Sequence, residues 1–254
     1  GYPASGSLLA KPDVSLLTMT EMVNQARYIA EAVGIPLFAD GDTGHGNVTN
    51  VTRTVREFER AGVAGLFIED QMFPKRCGHM EGKQVISTDE MVAKIKAAVD
   101  ARTDDDLMIM ARTDSLAVYG IDDAIERGIR YAEAGADIIF IEAPPSVKDM
   151  RRVCREVNAP MLANMVEGGK TPILTAKELQ KIGYSIATFP LSTLYAAAYG
   201  VRSAMDALFK TGTTAGYMDK MITFTNFNNL VGLEKVRATE TYYYRELFEK
   251  STCG

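Results

Sequence analysis

The sequence predicts an α/β protein with a parallel sheet, as a (β/α)8 TIM-type barrel that lacks its first two strands in this chain. Three observations support this fold class: short continuous apolar runs, helical patterns between them, and charged residues directly after the runs. Parallel strands covered on both faces are continuous hydrophobic runs, whereas half-exposed strands alternate. The 254 residues, 46% of them hydrophobic, are enough for a full core, so we expect a single domain, 1–254.

Six apolar runs are predicted to be strands. They are 35–40, 64–70, 107–112, 137–142, 160–165 and 185–190. The alternation of strands and helices indicates right-handed βαβ units. Because a complete barrel has eight strands, two more are expected before Gly1. An open doubly wound sheet, which needs no absent strands, is the alternative.

Helical periodicity predicts helices at 18–33, 87–102 and 121–135. The second begins with a Ser/Thr-x-x-Glu-like cap, and the third ends at a glycine that suits a left-handed C-cap. The region 191–254 also has a helical pattern. Its three consecutive tyrosines, 242–244, are predicted to contact either a neighbouring subunit or the chain's own barrel, and the sequence does not choose between the two.

Charge and cysteine content exclude several classes of protein. A net charge of −5 argues against a nucleic-acid or anionic-membrane surface, and no apolar run is long enough to span a bilayer. The three cysteines, Cys77, Cys154 and Cys253, form no metal-binding pattern, which favours a reducing compartment and a cytoplasmic location. Since the chain begins at Gly1 without Met, a preceding piece is expected, and it could include an organellar targeting segment.

Charged residues follow five consecutive predicted strands, which is hard to explain as surface decoration. The carboxyl ends of barrel strands meet at one mouth, where such side chains come together. They are Asp40 with Asp42, Glu69 with Asp70, Arg112 with Asp114, Glu142, and Asn164 with Glu167.

The carboxylates of this set predict a site for Mg²⁺ or Mn²⁺. Asp40 and Asp42 lie two apart and therefore point to the same side, and Glu69 follows the neighbouring strand. Oxygen-only ligands with room for water suit these ions. Because Asp-Gly-Asp-x-Gly is also a good turn sequence, turn formation is an equally weighted alternative. His45 is interpreted as a loop residue rather than a ligand.

The loop around Cys77 is the second candidate site. Cys77 is flanked by Lys75, Arg76 and His79, and nearby positive charge is expected to lower the pKa of the thiol. A loop of this composition can close over a ligand and exclude water. Arg112 is predicted to clamp an anionic group with its guanidinium fork. Cys154 and Cys253 are given no role.

Four segments, in this order, resemble the isocitrate lyase and phosphoenolpyruvate mutase superfamily: DGDTGHGN, EDQMFPKRCGH, ARTD and ANMVEGGKTP. The resemblance spans nearly the whole chain, and KRCGH is typical of the lyase side. It implies a Mg²⁺-dependent α/β barrel with a gating loop, and a homotetramer in which the final barrel helix swaps between neighbours.

The resemblance also implies roles for individual residues. Asp40 and Asp42 would lie at the magnesium, with Asp13 and Glu69 holding its waters. Cys77 would be the general acid, with His79 supporting the loop. The substrate-binding set implied by the motifs is Gly1, Tyr2, Gly78, Arg112, Glu142, Asn164 and Pro190.

Departures from the motifs narrow the expected substrate. Where methylisocitrate lyases carry two arginines for a third carboxylate, this chain has Tyr195 and Phe224. An unpaired carboxylate there would cost roughly 3–5 kcal/mol, so a dicarboxylate with alkyl groups fits better. This pattern resembles the 2,3-dimethylmalate lyase branch. Relatives that hydrolyse oxaloacetate tend to carry serine at Pro190, so proline favours the lyase.

The resemblance therefore implies cleavage of 2,3-dimethylmalate to pyruvate and propionate, with Cys77 protonating the carbanion and Arg112 stabilising its charge. The general base is left open among Tyr2, Glu69 and Glu142. The alternatives are hydrolysis of oxaloacetate to oxalate and acetate, a methylisocitrate lyase, and, least favoured, a non-catalytic protein on a degenerate barrel.

Overall fold

Six parallel strands form the centre of the computed structural model, which describes residues 1–251 and their side chains up to residue 245. Cys253 lies outside the described residues. The strands are β1 (Phe38–Asp40), β2 (Gly65–Glu69), β3 (Met108–Thr113), β4 (Ile138–Ile141), β5 (Leu162–Asn164) and β6 (Ile186–Thr188). The predicted number of strands within this range is confirmed, although all except β3 are shorter than their apolar runs and β3 is shifted by one residue.

The strands follow chain order across the sheet. β1 to β4 pair as neighbours, β5 pairs with β6, and a parallel bridge between Ile139 and Met161 connects the two groups. The register places Glu69 opposite Arg112 and Asn164 opposite Thr188, so the carboxyl ends lie at one edge. The predicted α/β class with parallel pairing is confirmed.

Helices separate the strands and cover the sheet. They are α1 (Tyr2–Ala4), α2 (Met19–Ala32), α3 (Val48–Arg60), α4 (Thr88–Ala101), α5 (Leu116–Tyr119), α6 (Ile121–Glu133), α7 (Val147–Glu156), α8 (Ala176–Ile182), α9 (Ser192–Thr211), α10 (Phe224–Leu230) and α11 (Leu233–Ser251). A short π-helix, Ser5–Leu9, follows α1, and a 3₁₀ helix, Ala215–Lys220, precedes α10. The helices predicted at 18–33, 87–102 and 121–135 are present as α2, α4 and α6.

Capping side chains explain where several helices begin. Thr18 and Thr175 form reciprocal capping boxes with a glutamate three residues on, and Asn47 forms one with Asn50. Ser87 caps α4 alone, by accepting a hydrogen bond from the Glu90 backbone N–H.

The apolar faces of these helices pack on the sheet. Phe58 of α3, Ile95 of α4 and Met150 of α7 are fully buried against strand residues such as Leu66 and Ile109. Packing of apolar side chains on both faces explains why the strands are continuous hydrophobic runs.

The chain divides into two compact units, Gly1–Tyr195 and Ala196–Gly254. The first contains the whole sheet, and the second is helical in the residues described, as predicted for the C-terminal region. The expectation of a single domain stays a prediction. Within residues 1–251, no helix combines the length and the apolar character needed to cross a membrane.

Candidate active site

The loop after β1 turns sharply and brings two aspartates together. Asp42 adopts a left-handed backbone, with φ of 47°, and its N–H donates to Asp40 Oδ1 at 2.9 Å. The Gly41 N–H donates to the Phe67 carbonyl, which extends the β1–β2 pairing up to the turn. Asp-Gly-Asp therefore serves both of the roles that the sequence left open: it is a turn, and it presents carboxylates.

The Lys75 ammonium group lies among these carboxylates. Its Nζ is 2.8 and 2.9 Å from the two Asp13 oxygens and 2.8 Å from Asp42 Oδ1. Both Lys75 and Asp13 are buried. Although burial disfavours the charged lysine, the carboxylates Glu69, Asp40, Asp42 and Asp13 raise the pKa of Lys75.

The two aspartates differ in their electrostatics. Burial raises the pKa of Asp42 to about 6, and the Asp40 charge adds to this effect. Burial opposes ionisation of Asp40 too, but the positive charges around it, which include the Lys75 ammonium and the Arg112 guanidinium, lower its pKa overall. The Asp40 carboxylate is therefore ionised at neutral pH.

Glu69 is fully buried at the end of β2. Its pKa is raised by burial, against the opposing charge of Arg112. Arg112 Nη1 lies 3.2 Å from Glu69 Oε2, but neither carboxylate oxygen accepts a well-aligned hydrogen bond. Buried carboxylate oxygens without partners are unusual and indicate that a cation or water completes the site.

The donor chemistry of this cluster fits a hard divalent ion. Four carboxylates surround one ammonium group, and both buried oxygens of Glu69 lack a well-aligned hydrogen bond. Among residues 1–245, no group of three or more acidic, histidine or cysteine side chains forms a ready cage for a metal. Mg²⁺ needs no such cage, because it usually keeps several waters and binds through one or two carboxylates.

Arg112 is held by three carboxylates. Its Nε and Nη2 donate to Asp114 at 2.9 and 3.2 Å, and Nη2 lies 3.0 Å from Glu142. Glu69 provides the third contact. The aromatic rings of Phe67 and Phe140 flank the guanidinium, 5.9 and 5.1 Å from Cζ. An anionic ligand would therefore meet a rigid cation whose fork is already occupied in part.

Cys77 is half-buried in the loop that follows β2. Its backbone N–H donates to the Asp13 carbonyl at 3.2 Å. The expectation of a lowered thiol pKa is wrong: burial raises the pKa of Cys77 and outweighs the Arg112 charge. The thiol is thus held in its protonated form, which suits a proton donor better than a nucleophile.

Gly78 and His79 pack the same loop against the strand ends. A Cβ on Gly78 would lie 2.4 Å from both Arg112 Nη2 and Glu142 Cγ, so only glycine fits. His79 Nδ1 accepts a hydrogen bond from the Lys170 backbone N–H at 3.0 Å, and its Nε2 lies 3.3 Å from Glu142 Oε1. The segment between β2 and α4, which contains Cys77, is called the cysteine loop below. His79 therefore connects the cysteine loop to the loop after β5.

Glu142 is the common partner of several of these groups. Asn164 Nδ2 lies 3.3 Å from each of its carboxylate oxygens, and Arg112 and His79 add further contacts. Burial opposes its ionisation, but the Arg112 charge and the His79 hydrogen bond lower the pKa of Glu142 overall. A carboxylate with this many ion-pair and hydrogen-bond partners is a weak base.

A cavity of about 450 Å³ in the first unit collects most of the predicted site residues. It is lined by Gly1, Tyr2, Asp13, Asp40, Cys77, Gly78, His79, Arg112, Glu142, Asn164 and Pro190. Asp42 and Glu69 are outside this lining and reach it through Lys75 and Arg112. Apolar side chains of α2, among them Met22 and Ile29, form another part of the wall.

Three further positions that the sequence analysis considered do not line the cavity. Tyr195 lies near Tyr2, with the ring centroids 6.4 Å apart and the planes nearly perpendicular, and its pKa is raised to about 12, chiefly by burial. Phe224 begins α10 in the second unit. Cys154 is half-buried on α7, and burial raises its pKa to about 11.

Sequence reasoning missed two buried lysines at this site. Lys75 was considered only as a positive charge beside Cys77, and Lys83 was not singled out. Lysine is rarely buried, and nothing in the loop composition indicates burial here. The only available signal was their position in the same loop as the cysteine.

The site consists of acidic and basic side chains at the carboxyl ends of parallel strands, around one cavity. This arrangement is typical of the active site of an α/β-barrel enzyme. The family model of phosphoenolpyruvate phosphomutase matches residues 4–209, and the chain belongs to this family, within the phosphoenolpyruvate mutase and isocitrate lyase superfamily.

Two relatives with high sequence identity are both named as lyases. The chain is 54% identical over 243 residues to 2,3-dimethylmalate lyase of Eubacterium barkeri, covering 96% of this chain and 84% of the relative. It is 46% identical over 232 residues to 2-methylisocitrate lyase of Aeropyrum pernix, covering 91% and 74%.

Solved structures share the fold. Oxaloacetate acetylhydrolase in complex with 3,3-difluorooxalacetate has a TM-score of 0.89 at 34% identity, covering 94% of this chain and 82% of that one. Phosphonopyruvate hydrolase in complex with oxalate and Mg²⁺ has a TM-score of 0.83 at 30% identity, covering 94% and 83%.

Proposed function

We propose that this protein is a carbon–carbon lyase that cleaves a 2-hydroxy dicarboxylate, with 2,3-dimethylmalate as its first candidate substrate and pyruvate and propionate as products. The observation that carries the proposal is the position of Cys77 in the wall of the cavity that Arg112 and Glu142 also line, where burial raises the pKa of the thiol. The relative that cleaves 2,3-dimethylmalate, 54% identical across nearly the whole chain, supports the substrate.

The reaction requires a proton to leave the C2 hydroxyl and another to reach C3. When the C2–C3 bond breaks, its electron pair stays on C3 as a carboxylate-stabilised carbanion, and C2 becomes the ketone of pyruvate. Cys77 then protonates C3, which completes propionate. Arg112 holds positive charge near the carboxylate that carries the developing charge.

A divalent ion, Mg²⁺ or Mn²⁺, is proposed as the cofactor. Asp40 and Asp42 would hold it, with Asp13 and Glu69 binding its waters. The Mg²⁺ complex of phosphonopyruvate hydrolase supports the choice of ion. When bound, it supplies Lewis-acid polarisation of the substrate's oxygens. The Lys75 ammonium that now pairs with Asp13 and Asp42 would shift to admit it.

The candidates for the base differ in their surroundings. Glu142 is disfavoured because its lowered pKa makes it a weak base. Glu69 has a raised pKa but does not line the cavity, so it would act through water. Tyr2 does line the cavity. The choice between Tyr2 and Glu69 stays open.

Hydrolysis of oxaloacetate is the second candidate function, because the structure of oxaloacetate acetylhydrolase is as close as a TM-score of 0.89. A panel of 2-hydroxy and 2-keto dicarboxylates with Mg²⁺ separates the two functions. Pyruvate released from 2,3-dimethylmalate supports the lyase, whereas oxalate released from oxaloacetate alone supports the hydrolase. Activity on 2-methylisocitrate but not on 2,3-dimethylmalate would favour the relative from Aeropyrum pernix as the better guide.

We also propose a homotetrameric assembly and a cytoplasmic location. The second unit exposes large apolar side chains, including Tyr199 and Phe209, and contiguous exposed apolar surface is typical of protein contacts.

A further inference from the structure

Lys83 belongs to the cysteine loop and places a buried ammonium group against the Gly78 carbonyl of the same loop. Its Nζ donates to the Gly78 carbonyl and, at 2.9 Å, to Asp114 Oδ1. The side chain is only 2% exposed, and that of Asp114 is fully buried. A lysine is rarely buried to this extent, because its desolvation must be offset by specific partners.

Asp114 joins Lys83 to Arg112. One of its oxygens, Oδ1, contacts Lys83 Nζ and Arg112 Nη2, and the other accepts from Arg112 Nε at 2.9 Å. The Asp114 backbone N–H is fixed in turn by Asp70 Oδ1, also at 2.9 Å. The chain of contacts Gly78–Lys83–Asp114–Arg112 therefore ties the loop to the end of β3.

The Cys77 N–H bond to the Asp13 carbonyl and the His79 contact with Glu142 also tie this part of the loop, whereas its remaining ties are nearer to its start or more exposed. The Gln71 side chain bonds to both backbone groups of Arg76, and Glu81 pairs with Lys170 at the surface. Exposed ion pairs contribute little, typically below about 1 kcal/mol. The Lys83 contact, in contrast, is buried and lies directly beneath Gly78, next to the cysteine.

We propose that Lys83 is a positioning residue that holds the Cys77–Gly78 segment closed over Arg112 by bridging the Gly78 carbonyl and Asp114. Lys83 does not line the cavity, so it acts through these two groups. Its importance for turnover rests on the proposed function of Cys77, whereas its effect on the closed loop does not.

The test is the rate at which iodoacetamide alkylates Cys77 in the full chain, read by mass spectrometry of the peptide that contains it. Lys83→Met keeps the length of the side chain and removes the charge. We expect alkylation of Cys77 to accelerate on the order of tenfold, as the loss of a charge-assisted hydrogen bond predicts, with Cys154 unchanged. Lys83→Arg retains a cationic donor and is expected to restore most of the protection.

The matched control is Lys94→Met. Lys94 is also buried, and its Nζ contacts the Thr43 carbonyl, away from the cysteine loop. This variant tests whether loss of any buried lysine loosens the loop, and we expect Cys77 alkylation to stay at the wild-type rate. An equal acceleration in both variants, or none in Lys83→Met, would overturn the proposal.

A second measurement uses the wild-type chain and does not depend on a variant that folds. Brief acetylation with acetic anhydride should modify the exposed Lys96 while Lys83 stays protected. Equal labelling of Lys83 and Lys96 would contradict the buried bridge.

Kinetics separate this proposal from the proposed function. With the lyase substrate, Lys83→Met should lower kcat more than it raises KM, because the predicted substrate contacts outside the loop, such as Arg112 and Asn164, remain. If alkylation of Cys77 accelerates in Lys83→Met but the wild type cleaves no dicarboxylate, the positioning role stands and the proposed function fails. If the wild type is an active lyase and the variant keeps full protection and kcat, the positioning role fails alone.

Discussion

At the scale of single residues, the surroundings of Cys77 decide the chemistry. Lys75 and Arg76 are its neighbours in sequence and suggested a thiolate, but Lys75 points to Asp13 and Asp42, and the Arg76 side chain contacts the Glu81 carbonyl. Burial then has the largest effect on the pKa of the thiol and raises it. The charges nearest to Cys77 in the sequence predicted a lowered pKa. This direction was wrong because those side chains pair with other groups.

The raised pKa of Cys77 predicts the pH dependence of its alkylation. Since only the thiolate reacts, the rate at neutral pH should be low and should rise only at a pH above the ordinary titration range of cysteine. The measurement is the rate of iodoacetamide labelling from pH 6 to 10, with N-acetylcysteine as the reference thiol. An inflection below that of the reference would mean a stabilised thiolate and would remove the argument for a proton donor.

At the scale of elements, the cysteine loop and the strand ends fit together through glycine. Gly78→Ala should prevent the loop from seating on Arg112 and Glu142, because a Cβ would approach both within 2.5 Å. We expect kcat to fall at least about tenfold, in the range that misplacement of a catalytic group produces. The measurement is steady-state kinetics together with the melting temperature.

Gly34→Ala is the matched control for this substitution. A Cβ at Gly34 meets nothing within 4 Å, so kcat and melting temperature should stay at wild-type values. If Gly78→Ala has the activity of Gly34→Ala, the close packing of the loop is not needed for turnover.

A buried network behind the strand ends supports the same elements. Asp70 Oδ2 accepts hydrogen bonds from Arg127 at 3.0 Å, Thr113 at 2.7 Å and Tyr131 at 2.8 Å. Arg127→Met would leave Asp70 buried without its counter-charge, which should lower the free energy of unfolding by about 3 kcal/mol. Urea denaturation at neutral pH is the measurement.

The comparison is Arg130→Met, on the same helix α6, where Arg130 pairs with the exposed Asp89. That loss should stay within about 1 kcal/mol. Equal losses in the two variants would show that burial does not strengthen the Asp70 pair.

At the scale of the whole molecule, much of the fold could be predicted from the sequence. Continuous apolar runs predicted six parallel strands, and helical periodicity predicted α2, α4 and α6. The strand lengths could not be predicted, because apolar residues also precede the first paired residue, as at Ile35 and Leu37 before β1. Helices α3 and α8 were not predicted, although Asn47 and Thr175 are recognisable caps.

The candidate site was predictable in position but not in its ion pairing. Strand-end residues such as Arg112 and Glu142 come together because parallel strands end at one edge. The ammonium groups of Lys75 and Lys83 come from a loop whose path no periodic pattern encodes. Asp42 and Glu69 lie outside the cavity lining, where Asp42 pairs with Lys75 and Glu69 contacts Arg112.

The assembly is a further prediction at this scale. Exposed apolar side chains on the second unit, Tyr199 and Phe209 among them, favour a homotetramer. Sedimentation velocity of the full chain should give a single species of four times the chain mass of 27.8 kDa. A monomer at micromolar concentration would contradict the assembly without affecting the proposed reaction.

The most direct test of the account compares wild type with Cys77→Ser, supplied with 2,3-dimethylmalate and Mg²⁺, by quantifying pyruvate and propionate. The account predicts equal amounts of both products from the wild type and a rate lower by about 100-fold or more in Cys77→Ser, with substrate binding retained. Cys154→Ser, the other described cysteine, should keep the wild-type rate. Full turnover by Cys77→Ser, or release of neither product by the wild type, would contradict the proposed lyase with Cys77 as its proton donor.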